Sequence, residues 1–562
     1  MQRSKHVILC VVLVFTVGLI ATAAESQTVP YKAPPGMSII ATIAENMASL
    51  ENILKGNIPP TIPQNQVFPD PTGMTASYQP GGATNTSDNA FFSSIITKNQ
   101  RTCFTCHQPL DGWGINPPQI LAEFLTTGGQ SPLFHPIDAA DRPDSPGATA
   151  PPWDPRFVAA RSQLFTRGNF RIGLNAPNPL GPPGESYITF GGNTNPQWVL
   201  TVAYDPFGSE MDPVYGLPAN MLSVYRRVIP AANKAFVLQY NVNPSPENFD
   251  IMWDAREPNL ESQFIDATLF HGQTTIVPDP TLVTQGVLFQ SGLFAGQSYD
   301  MKAGDLTGSD GSGALGGPVN LYNWRESTAP PCTFDPVFGL QCSSLKVKQI
   351  VGGISVNVGS QLYGAFATPH GSASQQAQRE SIERGELLFS SNIFTINLVA
   401  GLNDLKGDVN GAELGTCTTC HSNVNVLNSA AVSPKRVGIM DNSTGVTVMP
   451  FTPDFPRFAI YCPTGTIPFF SNPVTSPHCP GGSPTCDEFD TTDPGLGLIT
   501  GLCQDLGKMK VPILRGVASR APYFHGGNAM TLDDVLNFYN KRFNLNLTAQ
   551  QKQDLINYLN SL

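Results

Sequence analysis

Cys103-Phe-Thr-Cys-His107 and Cys417-Thr-Thr-Cys-His421 are the two stretches on which the reading of this 562-residue chain turns. Two thiols three positions apart on one turn can each add across a haem vinyl group, and the imidazole of the next residue then falls beneath the iron. From composition alone such a motif arises roughly 0.003 times in a chain of this length, so two copies point to two covalently bound c-type haems. His107 and His421 are the expected iron ligands, and Cys103, Cys106, Cys417 and Cys420 the attachment points. A zinc site built from the two CxxC pairs is the competing reading. Their separation of over 300 residues and the extra histidine in each weigh against it.

Around these motifs the chain carries 52 glycines and 51 prolines but only 13% charged residues, the composition of a loop-rich fold wrapped around buried groups. Its length exceeds an ordinary single core, so two domains are expected, each large enough to bury a haem. The net charge of -11 comes without a Lys/Arg cluster, which argues against nucleic acid as a partner. Arg3 and Lys5, an apolar run from Val7 to about Ile20, and Ala21-Thr22-Ala23-Ala24 have the order of a cleaved signal peptide over residues 1–24, which predicts export to the periplasm. The run is short for a spanning anchor, and no later stretch is apolar enough to cross a bilayer.

Cys10 leaves with the signal, and six cysteines then stand outside the motifs. In an oxidising compartment an even remainder reads as disulfides. Cys332 with Cys342 is the easiest pair, across a short Pro- and Gly-containing loop. Cys462 with Cys503 and Cys479 with Cys486 would nest sensibly, the other pairings staying open.

The organisation expected is a helix at Met37 to Leu54 on a Pro-rich coil reaching about Pro80, within a tether segment of 25–80. An N-terminal haem domain with a long Pro/Gly/Asn-rich insertion follows over 81–374, then a C-terminal cytochrome c domain over 375–562. Helical spacing marks Phe249 to His271, Gln378 to Phe389, Thr531 to about Phe543, and Thr548 to about Leu559. Thr531 is the expected cap of its helix, with Asp533 and Asp534 in the first turn. The fold class expected is mainly α and loop-rich: two cytochrome c-like haem domains with a large irregular insertion.

The sixth position of each iron decides between electron transfer and reaction with peroxide or oxygen. His135, His271, His370, His478 and His525 are the remaining candidates in the mature chain, each also readable as an ordinary polar side chain.

Three blocks carry a resemblance: Met252-Trp-Asp-Ala-Arg256 with Leu260 and Gln263, Arg384-Gly-Glu386 with Phe389 ahead of the second motif, and Val511-Pro-Ile-Leu-Arg-Gly516 running into Ala521-Pro-Tyr-Phe-His-Gly-Gly527. In this order they resemble the bacterial dihaem cytochrome c peroxidases and their MauG-like relatives, over about half the chain. The resemblance implies that the C-terminal haem admits electrons, that the N-terminal haem meets hydrogen peroxide, and that Trp253 stands between them. Gln263 matches the glutamine of the family's peroxide pocket. Where the peroxidases place a catalytic glutamate this chain has Gln273, with His271 two positions earlier. An amide cannot shuttle a proton, so either His271 takes the acid/base or ligand role or peroxidase activity is weak.

The family's distal ligand position at the C-terminal haem falls on Tyr539, the residue type of the MauG-like branch, with Met530 the alternative. His525 resembles a residue near the haem pocket, more a hydrogen-bond partner than a ligand. The resemblance also allows one calcium ion (Ca2+) near Pro522, held partly by backbone carbonyls. The partners it implies are a small electron-donor protein (a cytochrome c or a cupredoxin), hydrogen peroxide or another small oxidant, and a second copy in a homodimer. The long region between the motifs resembles an insertion-containing branch of the same family. Three readings follow: peroxide reduction, MauG-like oxidation of a protein or organic substrate through a high-valent dihaem state, and a non-catalytic electron carrier.

Overall fold

The computed structural model describes residues 53, 56–145, 154–175, 196–213, 216, 221–238, 251–327, 332–335, 339–342, 347–351, 354–358, 362–405, 411–422, 428–429, 434–443 and 449–562. The signal segment and nearly all of the Met37 to Leu54 helix lie outside the described residues, as do the side chains of Cys332 and Cys342. For the last two the backbone register sets them directly opposite each other in a hairpin. Among the described residues no helix is long and apolar enough to cross a membrane.

The expectation of a mainly α fold is wrong. The chain is mixed α/β, and among the described residues it forms two four-stranded and six two-stranded sheets. The physical reason is visible in the strands. Asn65–Asp70 alternates in burial, but two of its three inward residues are Gln66 and Asp70, so no hydrophobic alternation marks it. Asp70 is held there by the backbone N–H groups of Thr72 and Gly73 and by the Gln297 amide. Met221–Arg227 is buried at six of seven positions and so has no period of two at all. Asn65–Asp70 and Gly73–Tyr78, in the stretch read as Pro-rich coil, instead form a hairpin that pairs on into Phe294–Asp300 and Gly304–Asp305.

The second four-stranded sheet joins distant parts of the chain. Its order is Pro473–Thr475, Thr485–Thr491, Arg457–Cys462, then Val199–Tyr204, all antiparallel. The largest apolar core follows this pairing, packing Ile120, Phe134, Leu164 and Trp198 with Phe458, Phe489 and Leu506. The region between the motifs thus supplies most of a core that the C-terminal third completes. Two disulfides staple this sheet, Cys462–Cys503 and Cys479–Cys486, as the cysteine spacing suggested.

The helices expected near the C-terminus are present. Ala373–Ser391, Leu532–Phe543 and Ala549–Asn560 begin at the caps Ser372, Thr531 and Thr548, each closing a reciprocal capping box. Gly385 lies where the first and last of these cross. A Cβ there would collide with the Asp554 carbonyl and the Tyr558 Cβ, so only glycine allows this approach. Its neighbours fix the contact: Arg384 pairs with Asp554 at 3.0 Å, and buried Glu386 accepts from the backbone N–H groups of Leu362 and Tyr363 at 2.7 and 2.8 Å.

Closing a loop of 41 residues restricts the unfolded chain more than closing one of seven. Removal of Cys462–Cys503 by alanine pairs is expected to cost about 4 kcal/mol and removal of Cys479–Cys486 about 2.5 kcal/mol, read as the order of denaturant midpoints under oxidising conditions.

Candidate functional site: two thiol–imidazole cavities sharing a tryptophan

Both CxxCH motifs fold alike. Cys103–Thr105 and Cys417–Thr419 are single 3-10 turns, each opened by a threonine, Thr102 or Thr416, in a capping box with Thr105 or Thr419. The turn brings His107 N–H onto the Cys103 carbonyl at 3.0 Å, and Cys106 and His107 both line one cavity. Burial pushes the thiols of Cys103, Cys106 and Cys417 up to about 12, so they stay neutral. It pushes the His107 imidazole down to about 4, while Nδ1 bonds the Trp113 carbonyl at 3.0 Å. A neutral imidazole with one nitrogen tied to a carbonyl is the state in which histidine ligates a metal.

Each motif opens onto its own cavity. The C-terminal one, about 230 Å³, has Cys417, Cys420, His421 and Tyr539 in a wall made mostly of Ile, Val, Leu and Phe side chains. The Phe389 ring lies 6.3 Å from that of His421, and Tyr539 stacks on Phe543 at 6.2 Å. Met530, the alternative to Tyr539, is 52% exposed and absent from this wall. The N-terminal cavity, about 140 Å³, has a larger polar share for its size. Cys106 and His107 share it with Gln263, His271, Asp138, Lys234, Arg226 and Arg256. Gln273, at φ 54° just past the Leu260–Phe270 helix, is not in the wall. At the C-terminal motif both thiols and the imidazole line the cavity; at the N-terminal motif Cys106 and His107 do, with Cys103 on the same turn but outside the wall, and these residue types and spaces are what a c-type haem needs.

Trp253 lines both cavities. Its indole N–H donates to the Arg227 carbonyl at 2.7 Å, its own carbonyl accepts from Lys510 N–H at 2.8 Å, and its ring meets that of His525 edge-on at 6.2 Å. His525 in turn accepts the Arg227 N–H on its carbonyl at 2.7 Å, and burial pushes its imidazole down to about 4. The following residue, Asp254, is fully buried and joins Arg226 at 2.6 Å and Arg256 at 3.1 Å. Arg226 also pairs with Asp493 at 2.7 Å, and Arg256 with Asp266 at 3.3 Å. Ala255 takes φ 57°, the left-handed conformation that glycine adopts freely and a Cβ makes strained.

Sequence reasoning missed Asp138, Arg226, Arg227 and Asp493. Arg226 and Arg227 did leave a signal, two adjacent arginines inside the apolar run Met221 to Ile229, which a strand can bury only with partners. Asp138 left none: it meets His271 across 133 positions, Oδ2 to Nδ1 at 2.7 Å. Burial alone would raise the Asp138 carboxyl, but Arg101 and then His271 hold it below the usual carboxylate range. Pro522 lines the C-terminal cavity, and the Arg520 and Ala521 carbonyls beside it accept from the Arg227 guanidinium at 3.2 and 3.4 Å. Among the described residues no group of three or more His, Cys, Asp or Glu is arranged to hold a metal by itself. That neighbourhood already carries a cationic side chain, and calcium has no part in the function proposed below.

No family model matches the chain. It is 36% identical over 81 residues to the cytochrome-c peroxidase IdrP1 of Pseudomonas sp. (strain SCT), covering 12% of this chain and 21% of that protein. A second cytochrome-c peroxidase IdrP1, from Denitromonas iodatirespirans, is 37% identical over 70 residues, 10% of this chain and 19% of that one. The match therefore spans about a fifth of these relatives. It supports a local relationship to the cytochrome c peroxidases. A crystal structure of a MauG-like protein associated with microbial copper homeostasis aligns over 61% of this chain and 76% of that one, at 14% identity and a TM-score of 0.28.

Burial alone would raise the Asp254 carboxyl, but Arg226 and Arg256 outweigh it and hold the group below the usual range. Its folded value is thus lower than its unfolded one. The stability it contributes is present above about pH 4 and is lost as pH falls through the folded value. Asp254→Asn leaves two buried guanidinium groups under-compensated and is expected to cost about 3 kcal/mol at neutral pH, shrinking on acidification, as read from urea unfolding between pH 7 and 3.

Proposed function

We propose that the chain is a periplasmic dihaem oxidoreductase of the peroxidase type, in which electrons from a small donor protein, a cytochrome c or a cupredoxin, enter at the C-terminal haem and reduce hydrogen peroxide at the N-terminal one. Cys103, Cys106 and His107 hold one haem; Cys417, Cys420 and His421 hold the other. When bound, the haems supply one-electron redox chemistry and an iron at which peroxide can be reduced.

The observation that carries the reading is Trp253, which stands in both cavity walls, clamped by the Arg227 carbonyl and Lys510 N–H. Held rigidly, an indole shortens the distance electrons must cross between the two sites. Gln263 supplies an amide and His271 a titratable ring at the N-terminal cavity, whose charged wall suits a small polar oxidant. The C-terminal cavity is lined mostly by apolar side chains, which suits electron entry. Tyr539 would offer the iron there a phenol oxygen. That oxygen favours a second reading, MauG-like oxidation of a protein or organic substrate, because a phenolate would stabilise oxidised iron.

Chain matured with haem is expected to carry about two c-type haems by pyridine haemochrome, and about one after Cys417→Ala and Cys420→Ala. Trp253→Phe should keep both haems and slow donor-dependent peroxide consumption by at least about tenfold in stopped flow. Two haems that stay low-spin in every redox state and ignore peroxide would leave only the electron-carrier reading.

A further inference from the structure

The N-terminal cavity contains a pairing that neither the motifs nor the resemblance supplies. His271 caps the C-terminal end of the Leu260–Phe270 helix with its side chain 31% exposed, and its carbonyl is tied to the Asn99 amide at 2.6 Å. Its Nδ1 meets Asp138 Oδ2 at 2.7 Å. Asp138 is buried, and its other oxygen is taken by the Arg101 guanidinium, which also donates to the carbonyls of Pro132 and Leu133 at 2.8 Å. The carboxylate therefore cannot swing away. Asp138 and His271 both stand in the wall that contains Cys106, His107 and Gln263. A carboxylate that accepts at Nδ1 fixes the tautomer with hydrogen on that nitrogen and leaves Nε2 as the basic one.

We infer that Asp138 is the positioning residue of a His–Asp dyad that makes His271 the proton-exchanging group of the N-terminal cavity. The inference rests on the peroxidase reading above and deepens it. The proton leaving one peroxide oxygen passes to His271 Nε2 while Nδ1–H stays donated to Asp138. The same proton returns to the other oxygen as the O–O bond breaks, so the dyad ends unchanged. Full reduction of one peroxide to two waters draws two electrons from the donor protein, which is oxidised, and two protons from solvent. The cations that share the cavity, Arg226, Arg227, Arg256 and Lys234, contain no group able to accept a proton at neutral pH while charged.

The test uses the haem-loaded full chain and follows cyanide association as well as peroxide consumption, because hydrogen cyanide must give up its proton at the site before the anion binds. Asp138→Asn and His271→Gln are each expected to slow both reactions by about a hundredfold, with the double variant no slower than His271→Gln, as for groups acting as one unit. Asp138→Glu, which restores a carboxylate, should recover most of the rate. Rates are referred to haem content, so that a folding defect is not read as a kinetic one. If Asp138→Asn loads no haem, His271→Gln and Asp138→Glu carry the comparison. Parent-like rates in Asp138→Asn or His271→Gln, or an Asp138→Glu as slow as His271→Gln, overturn the dyad while a parent chain that consumes peroxide keeps the proposed function. A parent chain inert to cyanide and to peroxide removes both.

Discussion

The buried contact between Arg226 and the two carboxylates Asp254 and Asp493 is the constraint around which both cavities are arranged. Arg226 comes from the strand Met221–Arg227, which pairs with Asn169–Asn175, Asp254 from the turn ahead of the Leu260–Phe270 helix, and Asp493 from just beyond the strand Thr485–Thr491. Three segments far apart in sequence thus meet at one guanidinium that is 3% exposed. Charges taken out of water contribute little net stability even when paired, and replacing them with apolar groups is often harmless. What such a cluster does well is forbid alternatives: any register of this strand pair that displaced Arg226 would strand the carboxylates without a partner. The next residue, Arg227, then fixes Trp253 through its carbonyl and the His525 segment through its N–H, so the position of the indole follows from the ion pairs beside it.

The two haem motifs share their local structure and differ in everything around it. Both are threonine-capped turns of the same length with the same order of thiols and imidazole. One faces a wall mostly of aliphatic and aromatic carbon that also carries two phenols and the cations Arg227, Lys435, Lys510 and Arg520; the other faces a smaller wall in which four cations, a carboxylate, two amides and the His271 imidazole take a larger share. A change of charge costs more where apolar side chains dominate, and arriving anions and protons find more oriented partners in the second. The two sites differ in their surroundings and not in the residue types of their motifs.

The parts of the molecule that were legible in sequence are those set by local chemistry. The CxxCH turns, the capping boxes at Ser372, Thr531 and Thr548, and the nested disulfides depend on residues close together in the chain. The strands were not legible, because their buried faces carry Gln66, Asp70, Arg226 and Arg227 where a core strand ordinarily carries Val or Ile. Asp70, Arg226 and Arg227 are buried at a cost that their long-range partners offset, and hydrophobic periodicity cannot report a partner 227 positions away, as Gln297 is from Asp70. The same blindness hid Asp138.

Gln273 shows how far a positional match can mislead. Counting along the chain puts it where the resembled peroxidases have their acid, yet it sits beyond the helix end in a left-handed conformation and off the cavity wall. His271, two residues earlier, is the last position at which the helix still presents a side chain to that wall, and it is also the one that Asp138 can reach. A longer carboxylate on the helix would meet Asp138 as a like charge, whereas an imidazole meets it as a donor. The loss of the acid and the presence of the buried aspartate are therefore two sides of one arrangement, in which Arg101 neutralises the carboxylate from behind and histidine is the proton-exchanging side chain the wall can accept.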